Sequence, residues 1–157
     1  MTEASWQREI AQKLCDMGVD AIIGGHPHVI EPVDVFTSED GTHKTFCAFS
    51  LGNQLSNQRR EMMRLKTGNT EDGLFIDLEI TRNKEGDVSL TGVKYIPTWV
   101  YKNASGPTYS IVPVDDPSTV EEKTGIKGIQ AQAQASYDRT YKIIGDGANK
   151  VSEAYGF

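Results

Sequence analysis

The spacing of apolar residues predicts a helix near each end of the chain. From Glu3 to Met17 they recur at helical spacing, and the following Gly18 is a typical position for a helix to end. The same spacing from Thr124 onward predicts a second helix that ends near Gly145-Asp146-Gly147, with the last ten residues frayed. The apolar positions are Trp6, Ile10, Leu14 and Met17 in the first helix, and Ile126, Ile129, Ala133, Tyr137, Tyr141 and Ile144 in the second.

Between these helices, short runs with alternating apolar and polar residues predict β-strands. Turn signals separate them, including Asp40-Gly41, the segment Asn83–Asp87, and Ser105-Gly106-Pro107. The polar segment from Gly52 to Thr70 is predicted as an irregular loop. The predicted strands are Asp20–Ile23, Val33–Phe36, Lys44–Leu51, Gly73–Thr81, Val88–Tyr101 (broken near Pro97) and Tyr109–Val114.

The order of these elements predicts an α+β fold, a mainly antiparallel sheet with an N-terminal and a C-terminal helix. At 157 residues, of which 38% are hydrophobic and 24% charged, the chain suits one soluble domain covering residues 1–157. The net charge of −6 and the lack of a basic stripe argue against nucleic acid as a partner. No apolar run approaches the ~20 residues that cross a bilayer, and no signal-like segment opens the sequence.

The two cysteines carry little information about chemistry. Cys15 and Cys47 form no ligand-spacing motif, so two free, partly buried thiols are the simplest interpretation. A disulfide between them stays open, because two cysteines cannot fix the redox compartment.

The candidate chemistry lies in Gly24-Gly25-His26-Pro27-His28, directly after a predicted buried strand. Neutral imidazole is the commonest protein ligand for transition metals. Because Pro27 disfavours helical geometry at the residue before it, we expect an extended segment in which His26 and His28 point to the same side. The pattern therefore predicts two prearranged metal ligands, whereas the simpler alternative is a polar surface turn that contains histidine.

Three segments together resemble one protein family. They are Asp20 to Val33, which contains Gly-Gly-His-Pro-His-Val, then Ser50-Leu51-Gly52-Asn53, and then Tyr95-Ile96-Pro97-Thr98-Trp99-Val100. Their order and spacing resemble the C-terminal part of the CapA family, which is associated with poly-γ-glutamate capsule synthesis and export. That family belongs to the calcineurin-like metallophosphoesterase superfamily. The chain departs from the family after Asn53, where Gln54-Leu55-Ser56 replaces the usual aromatic residues, and Glu31 stands where Gln is frequent.

The resemblance implies that residues 1–157 are an incomplete domain, the C-terminal half of a metallophosphatase-like αββα sandwich. It also implies a two-metal hydrolytic site in the intact protein, with His26 on one divalent ion and His28 on the other. The remaining ligands would come from the upstream half of the same protein, so this chain alone is expected to bind no metal tightly and to be inactive. The intact protein would be membrane-anchored at the cell surface, with poly-γ-glutamate and capsule-synthesis membrane proteins as partners. A non-catalytic binding or scaffolding role is the alternative.

Several other residues have two interpretations. Asn53 is either a turn residue or an active-site amide near the metals. Glu31 or Asp34 could orient a histidine ligand by a hydrogen bond to its other ring nitrogen. His43 is expected to be solvated in a hairpin turn. The aromatic residues Tyr95, Trp99 and Tyr101 share one strand face, where core packing is favoured over a polymer-binding platform. Apolar surface left open by missing strands would favour self-association.

Overall fold

A computed structural model describes residues 1–64, 66–105 and 108–157, and it confirms the α+β fold. Of the predicted turn at Ser105-Gly106-Pro107, the last two residues lie outside the described part of the chain. Short 3₁₀ turns occur at Asn69–Glu71 and Pro117–Thr119. The helices and strands are α1 (Ser5–Asp16), β1 (Ala21–Ile23), β2 (Val33–Thr37), β3 (Lys44–Ala48), β4 (Asp72–Arg82), β5 (Val88–Lys102), β6 (Tyr109–Pro113), α2 (Val120–Thr124) and α3 (Gln130–Tyr155).

The strands form two small sheets. The first has the order β1-β3-β2, in which β1 runs parallel to β3 while β2 is antiparallel to it. The second has the order β4-β5-β6 and is antiparallel throughout. One parallel pair therefore accompanies the antiparallel pairings that the sequence predicts.

Strand β5 is continuous from Val88 to Lys102, so the predicted break near Pro97 is wrong. The Pro97 carbonyl accepts a hydrogen bond from the Val114 amide, 2.8 Å away, just beyond the end of β6. In an antiparallel strand the N and the C=O of one residue face the same neighbour. The missing N–H of Pro97 thus faces the end of β6, where no regular ladder bond is lost.

Helix α3 crosses β2 and β5 and closes the largest core cluster. It runs to Tyr155, so the predicted end near residues 145–147 and the predicted fraying are both wrong. A Cβ at Gly147 would lie 1.7 Å from the Val33 carbonyl oxygen, which means that glycine permits the contact between α3 and β2. Glycine costs a helix interior only about 1 kcal/mol, which packing can offset. The buried cluster contains Ile30, Val33, Phe46, Ala48, Leu74, Ile144 and Val151.

Helix α1 forms where predicted, but its large apolar side chains Trp6 and Ile10 are exposed. Trp6 is 60% exposed and Met17, just beyond the helix, is 78% exposed, whereas Ala11 and Cys15 are buried. Small side chains at that contact let α1 approach the first sheet closely. Cys47 lies in the same cluster, both cysteines are free, and burial raises the pKa of the Cys47 thiol to about 12. No helix in the described ranges has the length and apolar character needed to cross a membrane.

Candidate functional site

The histidine loop, residues 24–30, leaves β1 in tight contact with the chain that follows β3. The Gly24 amide donates to the Ala48 carbonyl at 2.7 Å, and the Gly24 carbonyl accepts from the Leu51 amide at 3.2 Å. A Cβ at Gly24 would lie 2.1 Å from the Phe49 carbonyl oxygen, so only glycine fits there. At the other end, Ile30 forms an isolated antiparallel bridge with Leu51. Both ends of the loop are therefore fixed to one segment.

Both histidines of the loop have positive φ, 100° for His26 and 57° for His28, so the prediction of an extended segment is wrong. The chain must reverse between two anchor points a few residues apart, and a straight segment cannot do so. Residues with Cβ atoms disfavour this region by roughly 1–2 kcal/mol. The two side chains are exposed. Such strain is often found at ligand-binding positions, which makes the loop the strongest site candidate.

His28 is tied to Asn53, which follows the Ile30–Leu51 bridge. Nδ1 of His28 lies 3.0 Å from Oδ1 of Asn53. The Asn53 amide nitrogen donates to the Ser56 hydroxyl at 2.6 Å and to the Thr70 carbonyl at 2.8 Å. Asn53 is buried, in contrast to the imidazole that it contacts. Of the predicted site residues, the structure therefore brings His28 and Asn53 together.

The carboxylates of Glu31 and Asp34, predicted to orient a histidine ligand, contact α1. Glu31 accepts a hydrogen bond from the Gln7 amide at 2.9 Å, and Asp34 accepts one from Arg8 at 2.7 Å. These bonds attach α1 to β2 and the residues before it. His43, expected to be solvated, is half-buried, with Nε2 3.1 Å from the Val19 carbonyl oxygen. That contact places His43 in a structural role.

The donor set for a metal is partial. Over residues 1–64, 66–105 and 108–157, no three His, Cys, Asp or Glu side chains are grouped so that they could hold a metal ion. A catalytic zinc site uses three protein ligands and a dinuclear site uses more. Two exposed imidazoles, one of them hydrogen-bonded to the side-chain amide of Asn53, fit part of such a site. They do not complete one.

A buried acidic pair, which we call the acidic anchor, fixes the far end of the loop that starts at Asn53. It consists of Glu71 and Asp72 at the entry to β4. Glu71 accepts bonds from the Arg60 backbone amide at 2.8 Å, from the Arg60 guanidinium at 3.0 Å, and from Trp99 Nε1 at 3.1 Å. Burial alone would raise the pKa of Glu71, but these donors outweigh it and lower the pKa to about 2.

Asp72 is held in a similar way by α3. Both of its carboxylate oxygens accept bonds from Arg139 at 2.7 Å, and Ser136 donates to one of them at 2.7 Å. The Asp72 carbonyl also accepts the Asn53 amide at 2.9 Å. The acidic anchor therefore connects the Asn53 turn with the core helix. The acidic anchor was not predicted from the sequence, in which the adjacent pairs Arg59-Arg60 and Glu71-Asp72 are the signal for it.

The aromatic residues of β5 pack as core. Trp99 is buried and meets Tyr101 edge-to-face at 5.7 Å, in a cluster closed by α2 and the start of α3. Burial raises the pKa of Tyr95 to about 12. Core packing, and not a polymer-binding platform, explains the position of Trp99, because its indole nitrogen donates to Glu71 and does not face solvent.

The part of the chain that contains the histidine loop is similar to known proteins. Residues 2–58 match the model of the family described as Bacterial capsule synthesis protein PGA_cap. Over 87 residues the chain is 30% identical to PGA biosynthesis protein CapA of Bacillus subtilis (strain 168). That alignment covers 55% of this chain but only 20% of the relative. No solved structure gives a significant match. The family match includes the histidine loop and Asn53, whereas the acidic anchor lies beyond it.

Proposed function

We propose that this chain is part of a protein of poly-γ-glutamate capsule synthesis, in which His26 and His28 are ligands of a divalent-metal site. The observation that carries the proposal is the position of the strained histidine loop inside the family match at residues 2–58. The chain spans about a fifth of the relative's length, so the activity of the whole protein is part of the proposal.

The residues of this chain would supply two neutral nitrogen donors and their support. His26 and His28 offer exposed imidazoles, and Asn53 contacts the ring of His28 at Nδ1. Divalent ions bound there would lower the pKa of a coordinated water and stabilise the negative charge of a phosphoryl group during hydrolysis. The other ligands are proposed to come from an upstream half of the same protein. The αββα sandwich of the metallophosphoesterases is the proposed architecture of the whole.

The proposed location is the outer cell surface, with a membrane anchor outside these residues. Poly-γ-glutamate and membrane proteins of capsule synthesis are the proposed partners. A chain with net charge −6 repels a polyanion, so contact with the polymer would need bridging cations or a local basic patch.

A non-catalytic scaffolding role is the second candidate. It is favoured by the incomplete donor set of the described residues and by the exposed apolar side chains of α1. A binding component would need surface for partners and no hydrolytic centre. The two candidates differ in their response to chelation, because scaffolding contacts made by side chains survive the removal of metal.

The test compares the whole protein with a His26→Ala/His28→Ala variant. Metal content by mass spectrometry and hydrolysis of bis(p-nitrophenyl) phosphate should both fall in the variant. His43→Ala is the matched control, because His43 is the third histidine and its ring is bonded to the Val19 carbonyl. Equal metal content in all three proteins would reject the ligand assignment. Polymer binding that persists in EDTA, without hydrolysis, would favour the scaffold.

A further inference from the structure

We infer that Asn53 is a positioning residue that holds His28 in the tautomer protonated at Nδ1, so that Nε2 presents its lone pair outward. The inference rests on the proposed function only where it assigns Nε2 as the metal-binding atom. The tautomer itself follows from the contacts of this chain.

The orientation of the Asn53 side-chain amide follows from the acceptors around its nitrogen. Its nitrogen lies 2.8 Å from the Thr70 carbonyl oxygen, which can only accept a hydrogen bond. The second amide hydrogen is directed at the Ser56 hydroxyl, 2.6 Å away. A flipped amide would place two carbonyl oxygens against each other. The oxygen of the Asn53 amide therefore faces His28.

The position of the hydrogen on the His28 ring follows from this orientation. An amide oxygen only accepts, so the Nδ1 atom at 3.0 Å from it must carry the hydrogen. A neutral imidazole has one N–H, and the other nitrogen is then an acceptor. Nε2 of His28 is thus the free donor of an electron pair, the form in which imidazole binds metals.

Asn53 itself is held rigidly. The residue is only 4% exposed, and its backbone amide donates to the Asp72 carbonyl at 2.9 Å. The preceding Gly52 has φ of 74°, and a Cβ there would lie 2.6 Å from the Asp72 carbonyl oxygen. Thr70 directly precedes the acidic anchor, so the carbonyl that orients Asn53 is itself fixed. The buried ion pairs thus determine which nitrogen of an exposed histidine is protonated.

The consequence is a difference between the two histidines. His28 is held ready for a ligand at Nε2, whereas the described contacts include no side-chain partner for the ring of His26. Loss of the Asn53 oxygen would let the ring of His28 rotate and exchange tautomers. Removal of such an outer partner weakens metal binding by roughly 10–100-fold.

The tautomer is read from long-range ¹H–¹⁵N correlations of histidine-labelled whole protein at about pH 8, where an ordinary imidazole is neutral. His28→Ala assigns the signals. The expected result is an N–H at Nδ1 and an unprotonated Nε2 for His28 in the wild type. In Asn53→Leu, mixed tautomers are expected. Asn57→Leu is the matched control, because the Asn57 side chain accepts a bond from Tyr109 instead.

Zinc titration of the same metal-stripped proteins gives the second measurement. Asn53→Leu should weaken Zn²⁺ binding by roughly 10–100-fold, while Asn57→Leu stays near wild type. A wild-type His28 protonated at Nε2, or unchanged tautomer and affinity in Asn53→Leu, overturns the inference. If Asn53→Leu fails to fold, the wild-type spectrum still decides. If the tautomer is as expected but Zn²⁺ does not bind, the proposed function fails and the tautomer assignment stands.

Discussion

The histidine loop and the acidic anchor are two polar regions that meet at Asn53, and they are built in opposite ways. The carboxylates of Glu71 and Asp72 are buried and accept several bonds each from arginine and other donors. The imidazoles of His26 and His28 are exposed on a backbone with positive φ. Satisfied buried polar groups specify a fold, whereas strained and open ones are available to a ligand. We therefore expect the acidic anchor to contribute to the stability of the fold, while the proposed binding role falls to the histidine loop.

The largest expected effect comes from removing one carboxylate of the acidic anchor. Glu71→Ala should lower the free energy of unfolding by about 3–5 kcal/mol, because Arg60 and the Trp99 indole lose a shared buried acceptor. Urea denaturation followed by tryptophan fluorescence measures the change.

Glu61→Ala is the matched control for that experiment. Glu61 also pairs with an arginine, Arg59, at 2.7 Å, but the Glu61 side chain is half exposed. When Glu61 is removed, Arg59 keeps its second contact, with Glu71 at 3.7 Å. We expect a loss below about 1 kcal/mol. Equal losses in the two variants would show that the burial of Glu71 does not distinguish the anchor from a pair whose carboxylate is half exposed.

The pH dependence of stability should follow Glu71. Its pKa in the folded protein is about 2, below the ordinary value of 4.5, so its stabilisation is complete above pH 4.5 and is lost as the pH falls toward 2. A shift of this size corresponds to up to about 3 kcal/mol. Glu71→Gln should flatten the acid limb of a plot of unfolding free energy against pH. An unchanged acid limb would mean that other carboxylates control acid unfolding.

The opposite sign is expected in the histidine loop. Since φ at His26 is 100°, His26→Gly removes a disfavoured conformation and should raise the free energy of unfolding by about 1 kcal/mol. Thermal denaturation measures the gain, and metal content should fall in the same variant. His43→Gly is the control, because His43 lacks positive φ and loses its contact with Val19, so stability should drop. A destabilised His26→Gly protein would mean that the loop contributes to the fold.

The histidine loop is a local segment, whereas the acidic anchor has partners far away in the sequence, and this difference explains which of the two could be predicted from the sequence. Local periodicity predicted α1, most strands and the α+β class, because those signals lie within a few residues of one another. The Gly-His-Pro-His segment identified the candidate ligands in the same way. The acidic anchor was missed because its partners are distant in sequence: Trp99 lies 28 positions from Glu71, and Arg139 lies 67 positions from Asp72.

The remaining errors have a tertiary cause. Gly147 predicts a helix end by itself, but it is the position at which α3 touches the backbone at Val33. The apolar stripe of α1 predicts a buried face, yet Ala11 and Cys15 make the contact with the first sheet. Positive φ at the histidines follows from anchoring both ends of the loop at Leu51, a constraint that exists only after the strands have paired.

The smallest effect on stability is expected from substitutions at the exposed apolar side chains of α1. Their effect on association shows whether an exposed apolar surface, without strain, is enough to make a binding region. Trp6 and Ile10 line a shallow cleft that continues to Gly24 and Gly25 of the histidine loop. Trp6→Gln/Ile10→Gln should change the free energy of unfolding by no more than about 0.5 kcal/mol. Sedimentation velocity should show less self-association, because a contiguous apolar surface is lost. Phe75→Gln, at an exposed position on β4, is the control. If both variants associate equally, the surface of α1 is no interface, and among the exposed groups only the strained histidines keep a proposed binding role.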